Sequence, residues 1–305
     1  MAEIALALGR ALERRRMRGE PGRAASRVLA RGEDWSVADV VCTSGPMDRV
    51  FEEQHRWYSI AVVLTGTFQY RSRAGHALMA PGSLMLGSPG QCFECGHEHA
   101  EGDRCLSFWY SPQYFERLAA DAGLVNRHVF DIPRIPPVRT LAPAVAAAAA
   151  NIMDAAQAPW NEIGADLAGL AVALAKGMSA PYGSPVNAEA RVTRVVRLLD
   201  VSPQASFTLD HMAREAGLSP YHFLRTFERL TGVTPHQYVL RARLRQAALR
   251  LASGGDKIVD VALDCGFGDL SNFNRAFRGE FNLSPRAYRL RSPTLRIRAA
   301  SHFVR

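Results

Sequence analysis

Cysteine is scarce in this sequence: five residues in 305, an odd number, which argues against a disulfide framework. No apolar run reaches the length of a membrane span. The order of an export signal is also missing. The mildly apolar residues 1–12 precede Arg14, Arg15, Arg16 and Arg18 instead of following them, and no small-residue cleavage site comes after. There is no paired catalytic acid and base, no nucleophile constellation and no Gly-rich phosphate loop. These absences lead us to expect a cytoplasmic chain with no membrane partner, acting by binding and not as an enzyme.

What is present is globular. Hydrophobic residues make up 48% of the chain, and 305 residues suffice for two domains. The richest feature lies near the C-terminus, where one pattern occurs twice. The first copy runs Ala213-x3-Gly217, Phe223, Arg225, Phe227, Thr234-Pro235-x2-Tyr238; the second runs Ala262-x3-Gly266, Phe273, Arg275, Phe277, Ser284-Pro285-x2-Tyr288. The offset is 49 at the Ala-Gly pair and 50 from Phe223 onward. A duplication of this kind implies two copies of one structural unit.

Each copy predicts a helix, a tight turn at glycine and a second helix, which together make a helix-turn-helix. Leu209, Met212, Ala213 and Ala216 recur at helical spacing before Gly217, where a left-handed C-cap is wanted. Ser219 is placed to cap the next helix, with Pro220 at its first position, and Phe223, Phe227 and Leu230 form its apolar stripe. In the second copy Asp269 is the cap, and Phe273, Phe277 and Phe281 are the stripe. Residues 235–252 between them predict one long helix, with Leu240, Leu244, Ala248 and Leu251 inward and Arg241, Arg243, Arg245 and Arg250 outward. A rigid connector of this sort would set two helices into successive major grooves, roughly 34 Å apart.

Charge points the same way. Residues 189–305 hold 19 Arg plus Lys against 10 Asp plus Glu, a net +9, whereas the other 188 residues balance at −1. Excess positive charge confined to the duplicated region suits a phosphate-binding module.

Residues 189–291 closely resemble the DNA-binding domain of the AraC/XylS family of transcription regulators. The most specific stretch is Ile258-x-Asp260-Val261-Ala262-x2-Cys265-Gly266-Phe267, followed by Asn272-Phe273-x-Arg275-x-Phe277 and Ser284-Pro285-x2-Tyr288-Arg289. By position, the resemblance marks Tyr221, Leu224 and Arg225 in the first recognition helix as DNA-facing, and Leu270, Ser271, Asn274 and Arg275 in the second. Arg225 and Arg275 have the chemistry to bind guanine bidentately or clamp a phosphate, and Asn274 to pair with adenine. The resemblance further implies promoter DNA and RNA polymerase as partners, with activation the commoner outcome.

The N-terminal half is patterned differently. Residues 59–64, 67–70, 83–86 and 104–110 are short strands, and Gly66 and Pro81-Gly82 mark turns. The order resembles the cupin-type ligand domain that often precedes an AraC-like module, and implies a small-molecule effector. Within it, Cys92, Cys95, His97, His99 and Cys105 fall in fourteen residues. Alternation along a strand would put Cys95, His97, His99 and Cys105 on one side and Cys92 on the other. Those four are candidate zinc ligands or a thiol sensor, although ordinary barrel-lining side chains explain them as well. His97-x-His99 matches part of a cupin metal motif, but no Glu follows at the usual spacing, and the distant ligand would have to be His55 or His76. No cofactor is therefore assigned.

Ser111-Pro112 begins a helix, and Ala-rich helices over 141–156 and 160–176 would serve either dimerisation or packing on the barrel. The expectation is an α+β chain. Residues 1–34 form a poorly ordered basic tail broken by Gly19, Pro21, Gly22 and Gly32, and 35–178 a cupin-like β-sandwich or barrel with a helical segment. A linker (179–188) leads to an all-α domain of two helix-turn-helix units joined by a long helix (189–291), and a basic tail (292–305) ends the chain. The functions this supports are a signal-responsive DNA-binding regulator, a homodimer if the Ala-rich helices pair, or a metal-binding enzyme or metal/thiol sensor with a DNA-binding appendage. An architectural DNA protein without an effector is the remaining alternative.

Overall fold

The computed structural model describes residues 2–50, 52–123, 130–152, 155–179 and 186–291. Its N-terminal half is built from β1 (Ala24–Arg31), β2 (Trp35–Cys42), β3 (Glu52–Gln54), β4 (Tyr58–Gly66) and β5 (Phe68–Ser72). These are followed by β6 (Gly75–Met79), β7 (Leu84–Gly87), β8 (Cys92–Gly96), β9 (Asp103–Tyr110) and β10 (Arg134–Ile135). They pair antiparallel in two sheets, ordered β1-β2-β9-β4-β7-β10 and β3-β8-β5-β6.

The central strand β4 is buried along almost its whole length, because both of its faces are covered. Tyr58, Ile60, Val62 and Leu64 join Leu106, Phe108 and Tyr110 of β9 in a core that faces helices. Ala61 and Val63 point the other way, toward Phe68, Tyr70 and Cys105 between the sheets. Period-two alternation thus divides one sheet between a helix-backed core and the interior of a sandwich.

The helices of this half are α1 (Ala2–Arg18), α2 (Pro112–Asp121), α3 (Ala142–Asn151) and α4 (Trp160–Ala175). The expectation of a poorly ordered tail over 1–34 is corrected here: its described residues form α1 and the edge strand β1. Ile4 and Leu8 of α1 are buried. Arg104 donates to the Ile4 carbonyl at 3.1 Å while holding Asp39 through Nε and Nη2 at 2.8 and 2.9 Å. Arg15, near the other end of α1, pairs with Asp48 at 2.6 Å. These partners lie tens of residues away, so local breakers in the sequence could not reveal them. α2 begins as expected, with Ser111 accepting from the Tyr114 amide.

The C-terminal half comprises α5 (Val186–Val201), α6 (Leu209–Glu215), α7 (Pro220–Thr231), α8 (Pro235–Ser253), α9 (Ile258–Asp264), α10 (Leu270–Phe281) and α11 (Pro285–Arg291). α5 starts inside the expected linker; residues 180–185 of that linker and the tail 292–305 lie outside the described residues. Two cores form. Val192, Val195, Val196, Met212, Phe223 and Phe227 make the first, and Val261, Ala262, Phe273, Phe277 and Phe281 the second. α8 belongs to both, giving Tyr238 and Val239 to one and Leu244, Ala248 and Leu251 to the other. One helix shared by two cores fixes their separation.

The halves are also joined to each other. Leu78 and Ala80, at and just beyond the end of β6, enter the first helical core, and Ala142 and Ala146 of α3 enter the second. The Ala-rich faces are therefore spent inside the chain: α3 packs α8, and α4 covers the large sheet with Trp160, Leu167, Ala168 and Ala171. Small side chains permit that close approach.

Candidate nucleic-acid interface and ligand cavity

Each helix-turn-helix turns at a glycine whose left-handed backbone an L side chain resists: φ is 62° at Gly217 and 87° at Gly266. At Gly266 a Cβ would also lie 2.6 Å from the Gln204 carbonyl oxygen. Ser219 accepts from the His222 amide at the start of α7, and Asp269 from the Asn272 amide at the start of α10. The offset of 50 extends to the far end of each helix, where Gly232 (φ 78°) and Asn282 (φ 55°) are the left-handed C-caps. The sequence held this signal, but asparagine in place of glycine concealed it.

Burying the phenylalanine stripes leaves the opposite faces of α7 and α10 uncovered. Tyr221 is 68% exposed, and Arg225, Leu270, Ser271, Asn274 and Arg275 are exposed as well. Leu224 is half-buried beside a cleft of about 590 Å³ between the two units, which is also lined by Leu209, Val239, Phe267 and Asn272. The equivalent arginines differ. Arg225 donates to the Tyr221 hydroxyl at 3.0 Å and lies 5.8 Å from its ring centroid. Arg275 has no hydrogen bond or ion pair among the described residues.

The arginines expected on the outer face of α8 are instead engaged within the chain. Arg241 pairs with Glu280 at 3.2 Å, and Arg243 donates to the Pro203 and Ala205 carbonyls at 2.8 and 2.9 Å. Arg250 holds Asp256 and Asp264 at 2.7 and 2.9 Å, and Arg245 is buried. Similarly, Arg191 donates to the Ala216 and Gly217 carbonyls, satisfying the end of α6. Much of the basic excess is structural, which leaves Arg214, Arg229, Arg275, Arg278 and Arg286 among the exposed cations.

The second feature is a cavity of about 380 Å³ between the sheets. Its wall follows strand alternation: Val40 and Cys42 from β2, Ser59 and Ala61 from β4, Asp103, Cys105, Ser107 and Trp109 from β9, and Phe93 and Cys95 from β8 with His97 just beyond. Of the candidate ligands, Cys95, His97 and Cys105 come together here, and Cys92 lies outside as alternation requires. His99 is not among the lining residues. The sequence reading missed Cys42 and Asp103. The pairing of β2 with β9 sets Cys42 opposite Asp103, a register that a one-dimensional pattern does not carry.

His97 bonds Asp103 through Nε2 at 2.7 Å. Burial works against a charge on this ring, but hydrogen bonds to Asp103 and Cys42 outweigh it and push His97 up to about 10. Cys105 donates to the other Asp103 oxygen at 3.2 Å. Burial, with the nearby Asp103 charge, pushes the thiols of Cys95 and Cys105 well above their ordinary value. One donor atom each from Cys42, His97 and Asp103 lie within 4.8 Å of one another. At the opposite end, His55 stacks on Phe93 (4.0 Å between centroids) and meets the Tyr70 hydroxyl at 2.8 Å. Tyr70 itself donates to the Leu86 carbonyl at 3.0 Å, so His55 carries its proton on Nε2. Burial pulls His55 down to about 4. His76, the other distant histidine considered, faces Glu189 of α5 at 3.4 Å and takes no part in the cavity.

A β-sandwich with an internal cavity is followed by two capped helix-turn-helix units on one shared helix. Residues 39–172 match the AraC-like ligand binding domain and residues 212–291 the helix-turn-helix domain, and the chain belongs to the AraC/XylS family. It is 33% identical over 103 residues to the HTH-type transcriptional activator RhaS of Klebsiella pneumoniae, covering 34% of this chain and 37% of that protein. It is 35% identical over 124 residues to the transcriptional activator NphR of a Rhodococcus species, covering 39% of this chain and 36% of that one. The matches thus span about a third of the length of these curated relatives. A transcriptional regulator of known structure from Chromobacterium violaceum, with an AraC-type DNA-binding domain, is 28% identical over 36% of this chain and 97% of that one, with a TM-score of 0.33. No helix among the described residues is long and apolar enough to cross a membrane.

Proposed function

We propose that this chain is a cytoplasmic, sequence-specific regulator of transcription that binds promoter DNA through α7 and α10 and answers to a signal held in the N-terminal cavity. It acts by binding and not by catalysis. The observation that carries the reading is the pair of matched, capped helices whose apolar stripes are buried and whose other faces remain uncovered.

Arg225, Arg275 and Asn274 read base edges, Tyr221, Leu224, Leu270 and Ser271 shape the contact, and nearby exposed arginines bind phosphate. Activation through contact with RNA polymerase is favoured by the names of the relatives, both called activators. The chain works as a homodimer, paired through a surface other than the buried faces of α3 and α4.

A route from cavity to DNA runs through Arg134. Met85 lines the cavity and pairs in register with Arg134 on β10. The buried Arg134 guanidinium donates to the Leu78 carbonyl and to the Leu230 carbonyl at the end of α7, both at 2.6 Å. A molecule pressing on β7 therefore bears on the last turn of the first recognition helix.

The test is selection of binding sites from random duplex DNA by the full chain, followed by footprinting. Arg225→Ala and Arg275→Ala should each weaken the selected site by about 1–3 kcal/mol and relax specificity at separate positions. Equal weakening on scrambled DNA would reduce both residues to phosphate contacts.

A further inference from the structure

We propose that the cavity wall formed by Cys42, His97 and Asp103 is a binding site for a thiophilic divalent cation of the zinc class. The three residues sit on the end of β2, just past β8 and at the start of β9, so hydrogen-bonded sheet and its adjoining turn hold them in place before any ion arrives. Their donor atoms lie within 4.8 Å of one another. Zinc bonds of about 2.0–2.3 Å in a tetrahedron leave its ligands roughly 3.3–3.8 Å apart, so the widest pair has to close by about 1 Å, while His97 and Asp103, now hydrogen-bonded at 2.7 Å, have to part by a little less than that.

His97, only 2% exposed, faces Asp103 through Nε2 at 2.7 Å, and a Cys42 donor atom lies within 4.8 Å of both, so the three side chains form one buried polar cluster. The donor set then selects the ion. One thiolate, one imidazole and one carboxylate suit zinc and its neighbours, whereas magnesium and calcium require oxygen ligands.

All three residues line the cavity, so the remaining coordination position is left to a molecule within it. Cys105, 3.2 Å from the second Asp103 oxygen, fixes the carboxylate from behind. Coordination needs the Cys42 thiolate and a free imidazole lone pair, so entry of the ion releases protons to solvent. His99 takes no part.

The experiment uses the reduced, chelator-stripped full chain titrated with Co2+, with absorbance as the readout and Zn2+ as competitor. The site predicts one Co2+ per chain, a thiolate-to-cobalt charge-transfer band, and loss of that band when zinc is added. Cys42→Ser should abolish the band, and His97→Gln should weaken Co2+ binding by at least about a hundredfold. Cys92→Ser and Cys265→Ser, both outside the cavity, should leave it intact. Near-UV circular dichroism establishes that Cys42→Ser, nearly isosteric, keeps its fold. Absence of the band in the wild-type chain, or its survival in both Cys42→Ser and His97→Gln, would overturn the assignment. The titration contains no DNA, so failure of the DNA-binding reading would leave its result unchanged.

Discussion

Arg225 and Arg275 occupy one position in the duplicated pattern, yet only the first is braced, by the Tyr221 hydroxyl at 3.0 Å. Bracing lowers the entropy lost when a guanidinium meets DNA, so Tyr221→Phe should cost about 0.5–1 kcal/mol of specific affinity, read by titration of a selected site. An unchanged affinity would mean that the brace is idle. His55 makes the other prediction at this scale. Its folded-state value of about 4 lies below the ordinary 6.5, so the stability gained by keeping the ring neutral is complete above 6.5 and is lost as pH falls through about 4. Thermal midpoints measured across that window should fall more steeply for the wild type than for His55→Gln. Parallel slopes would contradict the assignment.

Among the elements, those set by local chemistry were legible in advance and those set by distant partners were not. The caps Ser111, Ser219 and Asp269, the turns at Gly217 and Gly266 and the long helix α8 all follow from residues within a few positions of one another. α1 and β1 escaped because Ile4, Leu8 and Arg15 find their partners across the sheet. Two of the three proposed ion ligands escaped: Cys42 arrives only through the pairing of β2 with β9, and Asp103, though near His97 in sequence, meets it only across the turn between β8 and β9. The exposed positions of α7 and α10 were marked by the family resemblance, whereas the ties of Arg241, Arg243 and Arg250 to other parts of the chain could not be read in advance. The turn geometry itself is open to test. Gly266→Ala combines a left-handed φ with a 2.6 Å approach to the Gln204 carbonyl oxygen, and should cost more than about 1 kcal/mol in denaturant unfolding. Gly268→Ala, with nothing within 4 Å of its Cβ, is the control and should cost much less.

Across the whole molecule, the two halves share apolar cores and are bridged by Arg134. Burial alone pulls the Arg134 guanidinium down to about 10, yet that leaves it charged at neutral pH, with two carbonyls as its acceptors. Arg134→Met would strand both carbonyls at roughly 1–3 kcal/mol each, and calorimetry should show one unfolding transition separating into two. A single transition, merely shifted, would show that the shared cores suffice to couple the halves.

Two recognition helices fixed by one connecting helix, each presenting different residues, should read one asymmetric site. The most direct measurement is a footprint of the full chain on its selected sequence, repeated with Arg225→Ala and Arg275→Ala. We predict protection over two successive major grooves, roughly 34 Å apart, with each substitution erasing base preference in a different one. Protection of a single groove, or identical loss in both grooves from either substitution, would contradict the account.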